Sequence, residues 1–296
     1  MPLRVGLVGL GIMGSAYAGH LIDGGFPTVG YDPDAAAMQR YVSRGGRAAA
    51  SPRDVGRDAD AVIVALSSVT AVDAAIFGDA GLAAGMTRGK IVLEAGTFGL
   101  ELKERVRECL EGKGARVLDA PVSGTGSQAQ KKDLVFFASG ERDAFDRVAG
   151  VLRALARDVR YVGPFGNGSK LKYIANLLVT IHNLSAAEAI VLGERAGIPA
   201  DMVLEVLGNS AATSRMFQVR GPMMASRTYE PATMRLEVYQ KDIEIIDGFA
   251  KSLHCPTPLF SASTPYYERA IERGRGNQDT AAIVTVLREA AGLSAD

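Results

Sequence analysis

Residues 4–32 read RVGLVGLGIMGSAYAGHLIDGGFPTVGYD. Arg4 to Val8 has the short apolar run of a buried strand. Gly9-Leu10-Gly11-Ile12-Met13-Gly14 follows at once and fits G-x-G-x-x-G. The pattern predicts a helix from Ile12 to Ile22, a stop at Gly24-Gly25, and a second strand, Thr28 to Tyr31, that delivers Asp32. Gly9 makes the tight turn, Gly11 lets backbone approach a pyrophosphate, and Gly14 lets helix and strand pack closely. Unpaired N–H groups and the positive end of the helix dipole then face the phosphates. Asp32 lies 18 residues beyond Gly14 (32 − 14), placed to accept from a ribose diol. Strand, glycine turn, helix and acid in that order predict a dinucleotide site built from Gly9, Leu10, Gly11, Ile12, Met13, Gly14 and Asp32. The carboxylate accepts from the 2′-hydroxyl of NAD and repels the 2′-phosphate of NADP, so NAD is favoured and NADP is the alternative.

The βα rhythm continues. Strands are expected at Ala61 to Leu66, Ile91 to Leu93, Ala115 to Leu118, Leu134 to Ala138 and Val159 to Val162. Helices are expected after Ser51-Pro52, over Leu100 to Leu110 and over Asp143 to Leu155. Such alternation predicts an α/β fold, a doubly wound and largely parallel sheet covered on both faces. Ligands bind off the carboxyl ends of such strands, which nominates Leu66, Ser67, Ser68, Thr97 and Ser123. Taken singly, each is an ordinary turn residue. Asp119 to Leu134 (DAPVSGTGSQAQKKDL) reads as a loop that is either a Gly/Ser turn with no ligand, the better reading in isolation, or one in which Ser123, Gly124 and Thr125 present a hydroxyl and backbone N–H groups to an anion.

Gly166 to Arg195 (GNGSKLKYIANLLVTIHNLSAAEAIVLGER) predicts a helix of nearly thirty residues. Asn167 or Ser169 is expected to cap it. Leu171, Ile174, Leu178, Ile181 and Leu184 recur at helical spacing as one apolar stripe. Lys172 and Asn176, at i and i+4, stand one above the other. From Gly197 onward no strand series appears. Helices are expected over Asp201 to Leu207, Leu236 to Leu253, Leu259 to about Arg273 and Thr280 to Ala291. The domains are placed at 1–164, dinucleotide-binding, and 165–296, all-helical.

The chain has 296 residues and formal net charge zero, which argues against a nucleic-acid partner held by bulk electrostatics. Cys109 and Cys255 cannot make a disulfide framework, in keeping with a cytoplasmic protein. Arg4, the apolar run after it and Ala16-Tyr17-Ala18 imitate an export signal, but the glycine spacing fits the nucleotide turn better. No membrane span is expected. His20, His182 and His254 lack metal-ligand spacing, so no metal is expected. The apolar content of the second half exceeds what a small bundle hides, which predicts a homodimer or homotetramer.

These stretches together resemble the β-hydroxyacid dehydrogenases, a family that includes 3-hydroxyisobutyrate dehydrogenase and tartronate semialdehyde reductase. Gly9 to Gly14 resembles the family's cofactor signature. Asp119-Ala120-Pro121-Val122-Ser123-Gly124 resembles its substrate loop. Gly166-x-Gly168-x-x-x-Lys172-x-x-x-Asn176 resembles its catalytic signature, and Lys241-Asp242 a pair lining its active site. The resemblance implies reversible hydride transfer between nicotinamide and a short β-hydroxyacid or semialdehyde carrying an anionic carboxylate. Lys172 is then the general acid/base, Asn176 a substrate holder, and Ser123 with Gly124 the carboxylate anchor. Thr97 lies on the cofactor rim and Lys241 near the nicotinamide end. The sequence departs from the family at Thr125, at Lys131-Lys132 and at Ala175, so no substrate is carried over by name. The two lysines read as a solvated loop end, or as a contact for a second anionic group. The competing readings are an imine reductase, an oxidative decarboxylase resembling 6-phosphogluconate dehydrogenase, and a non-catalytic NAD sensor.

Overall fold

The computed structural model describes residues 2–294. The chain divides into two compact units, one ending at Lys172 and the other beginning at Tyr173.

In the first unit, β1 (Val5–Val8), β2 (Thr28–Tyr31), β3 (Arg47–Ala48), β4 (Ala61–Val64), β5 (Ile91–Glu94) and β6 (Arg116–Asp119) form a six-stranded sheet in the order β3-β2-β1-β4-β5-β6. Every pairing is parallel, with Val5 level with both Thr28 and Ala61, and Glu94 level with Asp119. Successive side chains of a strand leave on opposite faces. Leu7, Ile63 and Leu93 therefore enter one apolar core, with Leu21 and Tyr17 of α1 (Ile12–Asp23). Val8, Val62, Val64 and Val92 enter a second core on the other face, with Val55 of α3 (Pro52–Asp58) and Val106 of α5 (Leu100–Glu111). A sheet buried on both faces explains why its strands are uniformly apolar. Between these elements lie α2 (Ala35–Ser43), capped by the Asp34 side chain, and α4 (Val69–Val72), capped by Ser68.

The later strands depart from expectation. β7 (Val122–Ser123), β8 (Val135–Ala138) and β9 (Asp158–Tyr161) form a separate three-stranded sheet, antiparallel between β7 and β8 and parallel between β8 and β9. An antiparallel bridge between Asp119 and Ser139 joins it to the end of β6. Pro121 lies between β6 and β7; it has no N–H to extend a ladder, and the chain turns there. The expected loop over 119–134 contains β7 and a short helix, α6 (Gly126–Gln130). α7 (Arg142–Leu155) covers the first core.

α8 (Asn167–Arg195) begins in the first unit and continues through the second. By length and composition alone it is long and apolar enough to cross a membrane. Its buried side, however, carries Asn176, Thr180 and Asn183. Within the second unit these bond to neighbours. The Thr180 and Tyr239 hydroxyls lie 3.0 Å apart, and Asn183 Nδ2 donates to the Tyr267 hydroxyl (3.2 Å) and the Thr280 carbonyl (2.9 Å). The apolar stripe read from the sequence lies largely on the other side. Ile174 is 52% exposed and Leu178 46%, and of the five only Leu184 is buried. Periodicity locates a stripe but not its partner, and here hydrogen-bonded polar groups occupy the interior.

The rest of the second unit is helical: α9 (Ala200–Leu207), α10 (Arg215–Ser226), α11 (Leu236–Ser252), α12 (Pro258–Ala270) and α13 (Ile283–Ala290). Arg288 is fully buried and donates to both Glu194 carboxylate oxygens (2.9 and 2.7 Å). It ties α13 to the end of α8.

Candidate active site

Gly9 follows β1 directly, and its φ of +93° is accessible to glycine at little cost. A side chain there would also meet the Ala65 carbonyl and Leu66. Gly14 has no room for a Cβ, which would overlap the Gly9 carbonyl, so α1 packs tightly on the turn. At Gly11, by contrast, nothing lies within 4 Å of where a Cβ would stand. The turn is closed beneath and open above the helix N-terminus, as a pyrophosphate requires. Ile12 is exposed and Met13 half-buried beside it. Asp32 is fixed at the tip of β2, where Oδ2 accepts from Leu10 N (2.7 Å) and Oδ1 from Asp34 N (2.9 Å). Ionised carboxylate oxygens retain further acceptor sites, so Asp32 braces the glycine turn and can still accept from a ribose. These residues fit a dinucleotide. Ser67 is exposed beyond β4, and Leu66 packs against the second core. Thr97 is half-buried past β5.

Ser123 is half-buried at the end of β7, and Gly124 follows with φ +140°. Thr125 is already engaged. Its N–H donates to Gln128 Oε1 (3.0 Å) and its side chain closes a capping box on α6. The N–H read as an anion donor is thus spent on the helix start. A side chain at Gly126 would overlap Ile12, so this loop lies against the nucleotide turn. Lys131 and Lys132 are both exposed.

The start of α8 is held from outside. Neither Asn167 nor Ser169 caps it as expected: the Asn167 amide donates to the Val162 carbonyl (2.9 Å). Instead Asp119, fully buried at the end of β6, accepts from Ser169 N (2.7 Å) and Ser169 Oγ (2.8 Å), while Gly168 N donates to Ser139 Oγ (3.0 Å). Lys103, on α5, donates to Asp119 Oδ1 (3.1 Å) and the Gly96 carbonyl (2.7 Å) and pairs with Glu94. Burial opposes the Lys103 charge, but Glu94 and Asp119 outweigh it and raise the ammonium pKa. Burial raises that of Glu94, which the neighbouring Lys103 only partly offsets. Sequence reasoning named none of Lys103, Glu94 and Ser139. Glu94 and Ser139 are marked only by polarity amid apolar or small neighbours, and Lys103, in the charged run LELKERVRE, by nothing local.

Lys172 follows Ser169 by one helical turn and is 9% exposed. Asn176, one turn further along α8, is 5% exposed. Within the second unit, Asn176 Nδ2 donates to Asp242 Oδ2 (2.9 Å), and Lys241 Nζ donates to Asp242 Oδ1 (2.9 Å). Asp242 thus joins Lys241 to Asn176. The Asn176 carbonyl accepts from the Thr180 (2.9 Å) and Tyr239 (3.0 Å) hydroxyls. Burial drives the Tyr239 pKa well up, which keeps its phenol a donor.

The family model described as the NAD binding domain of 6-phosphogluconate dehydrogenase matches residues 4–163. The one described as NAD-binding of NADP-dependent 3-hydroxyisobutyrate dehydrogenase matches residues 166–287. An L-threonate dehydrogenase of Haemophilus influenzae is 32% identical over 285 residues, covering 96% of this chain and 94% of the relative. A 3-sulfolactaldehyde reductase of Escherichia coli is 30% identical and covers 98% of each chain. A crystal structure of 3-hydroxyisobutyrate dehydrogenase from Salmonella typhimurium superposes with a TM-score of 0.87 at 31% identity, covering 96% of this chain and 99% of that one. With both halves matched and the glycine turn in place, the chain belongs to the β-hydroxyacid dehydrogenase family, NAD(P)-dependent oxidoreductases of short hydroxyacids.

Proposed function

We propose that Lys172 is the general acid/base of a reversible β-hydroxyacid dehydrogenase, with Asn176 holding the substrate and Ser123 and Gly124 anchoring its carboxylate. The observation that carries this reading is the fastening of α8. The buried Lys172 and Asn176 share one helix, and its first turn is bonded to the end of β6, the strand that runs on into Ser123 and Gly124. In the oxidative direction Lys172 takes the hydroxyl proton, and in reduction it returns one. Lys241 and Thr97 serve the cofactor. The nicotinamide, when bound, supplies or accepts the hydride.

NAD is the preferred cofactor. Asp32 presents a fixed negative charge where NADP carries its 2′-phosphate, and a like charge placed there costs several kcal/mol. Arg40, the nearest arginine along the chain, stands 3.9 Å from Asp34 and is exposed. The substrate class is a short β-hydroxyacid or its semialdehyde. Purified protein is assayed at 340 nm with both cofactors against L-threonate, 3-hydroxyisobutyrate, glycerate, 3-sulfolactaldehyde and succinic semialdehyde. Turnover with one of them, faster with NADH, is expected. Cofactor binding without turnover on any of them sinks the reading in favour of a sensor. Asp32→Ser is expected to raise the NADPH-to-NADH ratio of kcat/KM by ~10–100-fold, each 1.4 kcal/mol being tenfold. An unchanged ratio removes Asp32 as selector.

The protein is a homo-oligomer. Ile174, Leu178 and Leu192 on α8 are 52%, 46% and 71% exposed, and Met202 and Val206 on α9 are 52% and 65%. Exposed large apolar side chains recurring along two helices fit an interface, and a second copy is the occupant. Light scattering is expected to give a multiple of 31.1 kDa. A monomer at micromolar concentration refutes it.

A further inference from the structure

Three segments carry proposed site residues: β5 runs toward Thr97, its neighbour β6 toward Ser123 and Gly124, and the 162–166 turn leads from β9 of the smaller sheet into α8 toward Lys172. One buried cation bonds to the first two, and Asp119 carries the tie on to the third. Lys103 Nζ donates to the Gly96 carbonyl (2.7 Å) and to Asp119 Oδ1 (3.1 Å) and pairs with Glu94. Glu94 Oε1 in turn accepts from Gly96 N (3.0 Å) and so shapes the turn before Thr97. Asp119 uses its other contacts on Ser169 N and Oγ, and Ser139 Oγ lies 3.3 Å from Asp119 Oδ2 while accepting from Gly168 N. A Cβ at Gly168 would overlap the Phe137 carbonyl and meet that of Asp119, so the helix start is pressed onto backbone.

Such a cluster is costly. Lys103, Glu94 and Asp119 are 1%, 2% and 0% exposed, and well-packed apolar replacements of buried ion groups are often as stable or more so. Stability alone does not account for it. We propose that Asp119 is a positioning residue for Lys172, with the Lys103–Glu94–Asp119 cluster fixing the first turn of α8 relative to the cofactor and substrate loops. The inference rests on the acid/base reading of Lys172. Catalytic groups misplaced by about 1 Å lose on the order of 10²-fold, and a helix start held by two side-chain acceptors sets where Lys172 stands.

The test is a double-mutant cycle. Asp119→Asn keeps the volume but leaves one oxygen for donors that now engage two. In the parent enzyme it is expected to lower kcat, counted per cofactor-binding site, by ~10–100-fold, with the KM for cofactor within about twofold. In a Lys172→Ala background the same change is expected to cost less than about threefold, because Asp119 acts through the missing lysine. Ser169→Ala, a milder cut of the same tie, is expected to lose ~3–10-fold in kcat and serves if Asp119→Asn does not fold. A purely structural role lowers Tm and leaves kcat per site unchanged. Equal losses in both backgrounds, or unchanged kcat in Ser169→Ala and Asp119→Asn alike, overturn the proposal. Full activity of Lys172→Ala alone instead removes the reading beneath it, so the two failures are told apart.

Discussion

Lys172→Ala is expected to lose ~10²–10⁴ in kcat while keeping the fold and cofactor affinity, the range that a positioned acid/base contributes. The glycine turn, Asp32 and the cores of the sheet lie on other elements, so the nucleotide site survives the cut. The first turn of α8 is held by Asp119 and Ser139. Lys172→Arg separates proton transfer from charge. Arginine keeps the positive charge but does not give up its proton in proteins, and its planar fork does not reproduce an ammonium. Arginine is therefore expected to leave kcat within about tenfold of the alanine variant. Steady-state kcat and cofactor titration by fluorescence check both. Near-wild-type turnover in Lys172→Ala would falsify the assignment, and full rescue by arginine would leave a purely electrostatic role.

The nucleotide half was legible because its chemistry is local. Gly9, Gly11 and Gly14 act through backbone and Asp32 through a carboxylate bonded to that same turn, all within thirty residues, and each glycine is required by a turn, an approach or a packing contact that spacing alone encodes. The structure of the 119–134 segment was half legible. Ser123 and Gly124 stand at a strand end, and the engagement of Thr125 by Gln128 is encoded by the capping box T-x-x-Q at 125–128, which the anion-loop reading passes over. α8 was legible as a helix and misread as to its faces. An apolar stripe reports only that one side avoids water, and here Ile174 and Leu178 lie open in the single chain while Asn176, Thr180 and Asn183 are inside. The Asp119–Ser169 tie spans 50 residues, and no periodicity predicts a contact between a strand end and a helix start so far apart. α10 was missed beyond its start: Asn209 to Met216 reads as a loop or a helix start, and Pro222 inside the helix argues against its continuing.

That missed helix carries half of the second large expectation, Asp279→Asn. Asp279 is fully buried and its two oxygens divide their work. Oδ1 accepts from Arg220 Nε (3.1 Å) on α10 and from Ala281 N (3.0 Å). Oδ2 accepts from Thr233 N (2.8 Å), Thr233 Oγ1 (2.7 Å) and Met234 N (3.0 Å). Arg220 is itself 2% exposed. An amide has one acceptor oxygen, so whichever way it turns its NH₂ faces donors and one cluster goes unsatisfied. Stripping a buried cation of its counter-charge costs ~3–5 kcal/mol, and orphaned donors add to it. The expected result is a fall of ~10–20 °C in Tm, at ~2–8 °C per kcal/mol for domains of this size. The pH dependence has a definite sign. Burial pushes the Asp279 carboxyl up, but Arg220 and the hydrogen bonds from Thr233, Ala281 and Met234 outweigh it, and the folded pKa lies below the usual value. A depressed carboxyl contributes stability above its unfolded pKa of ~3.9 and loses it as pH falls through the folded value. The gap in Tm between parent and variant is therefore constant near neutrality and narrows only below about pH 4. Calorimetry across pH 3–8 reads both effects, and a variant melting within about 2 °C of the parent at pH 7 shows that Arg220 finds another partner and that the cluster does not hold the second unit together.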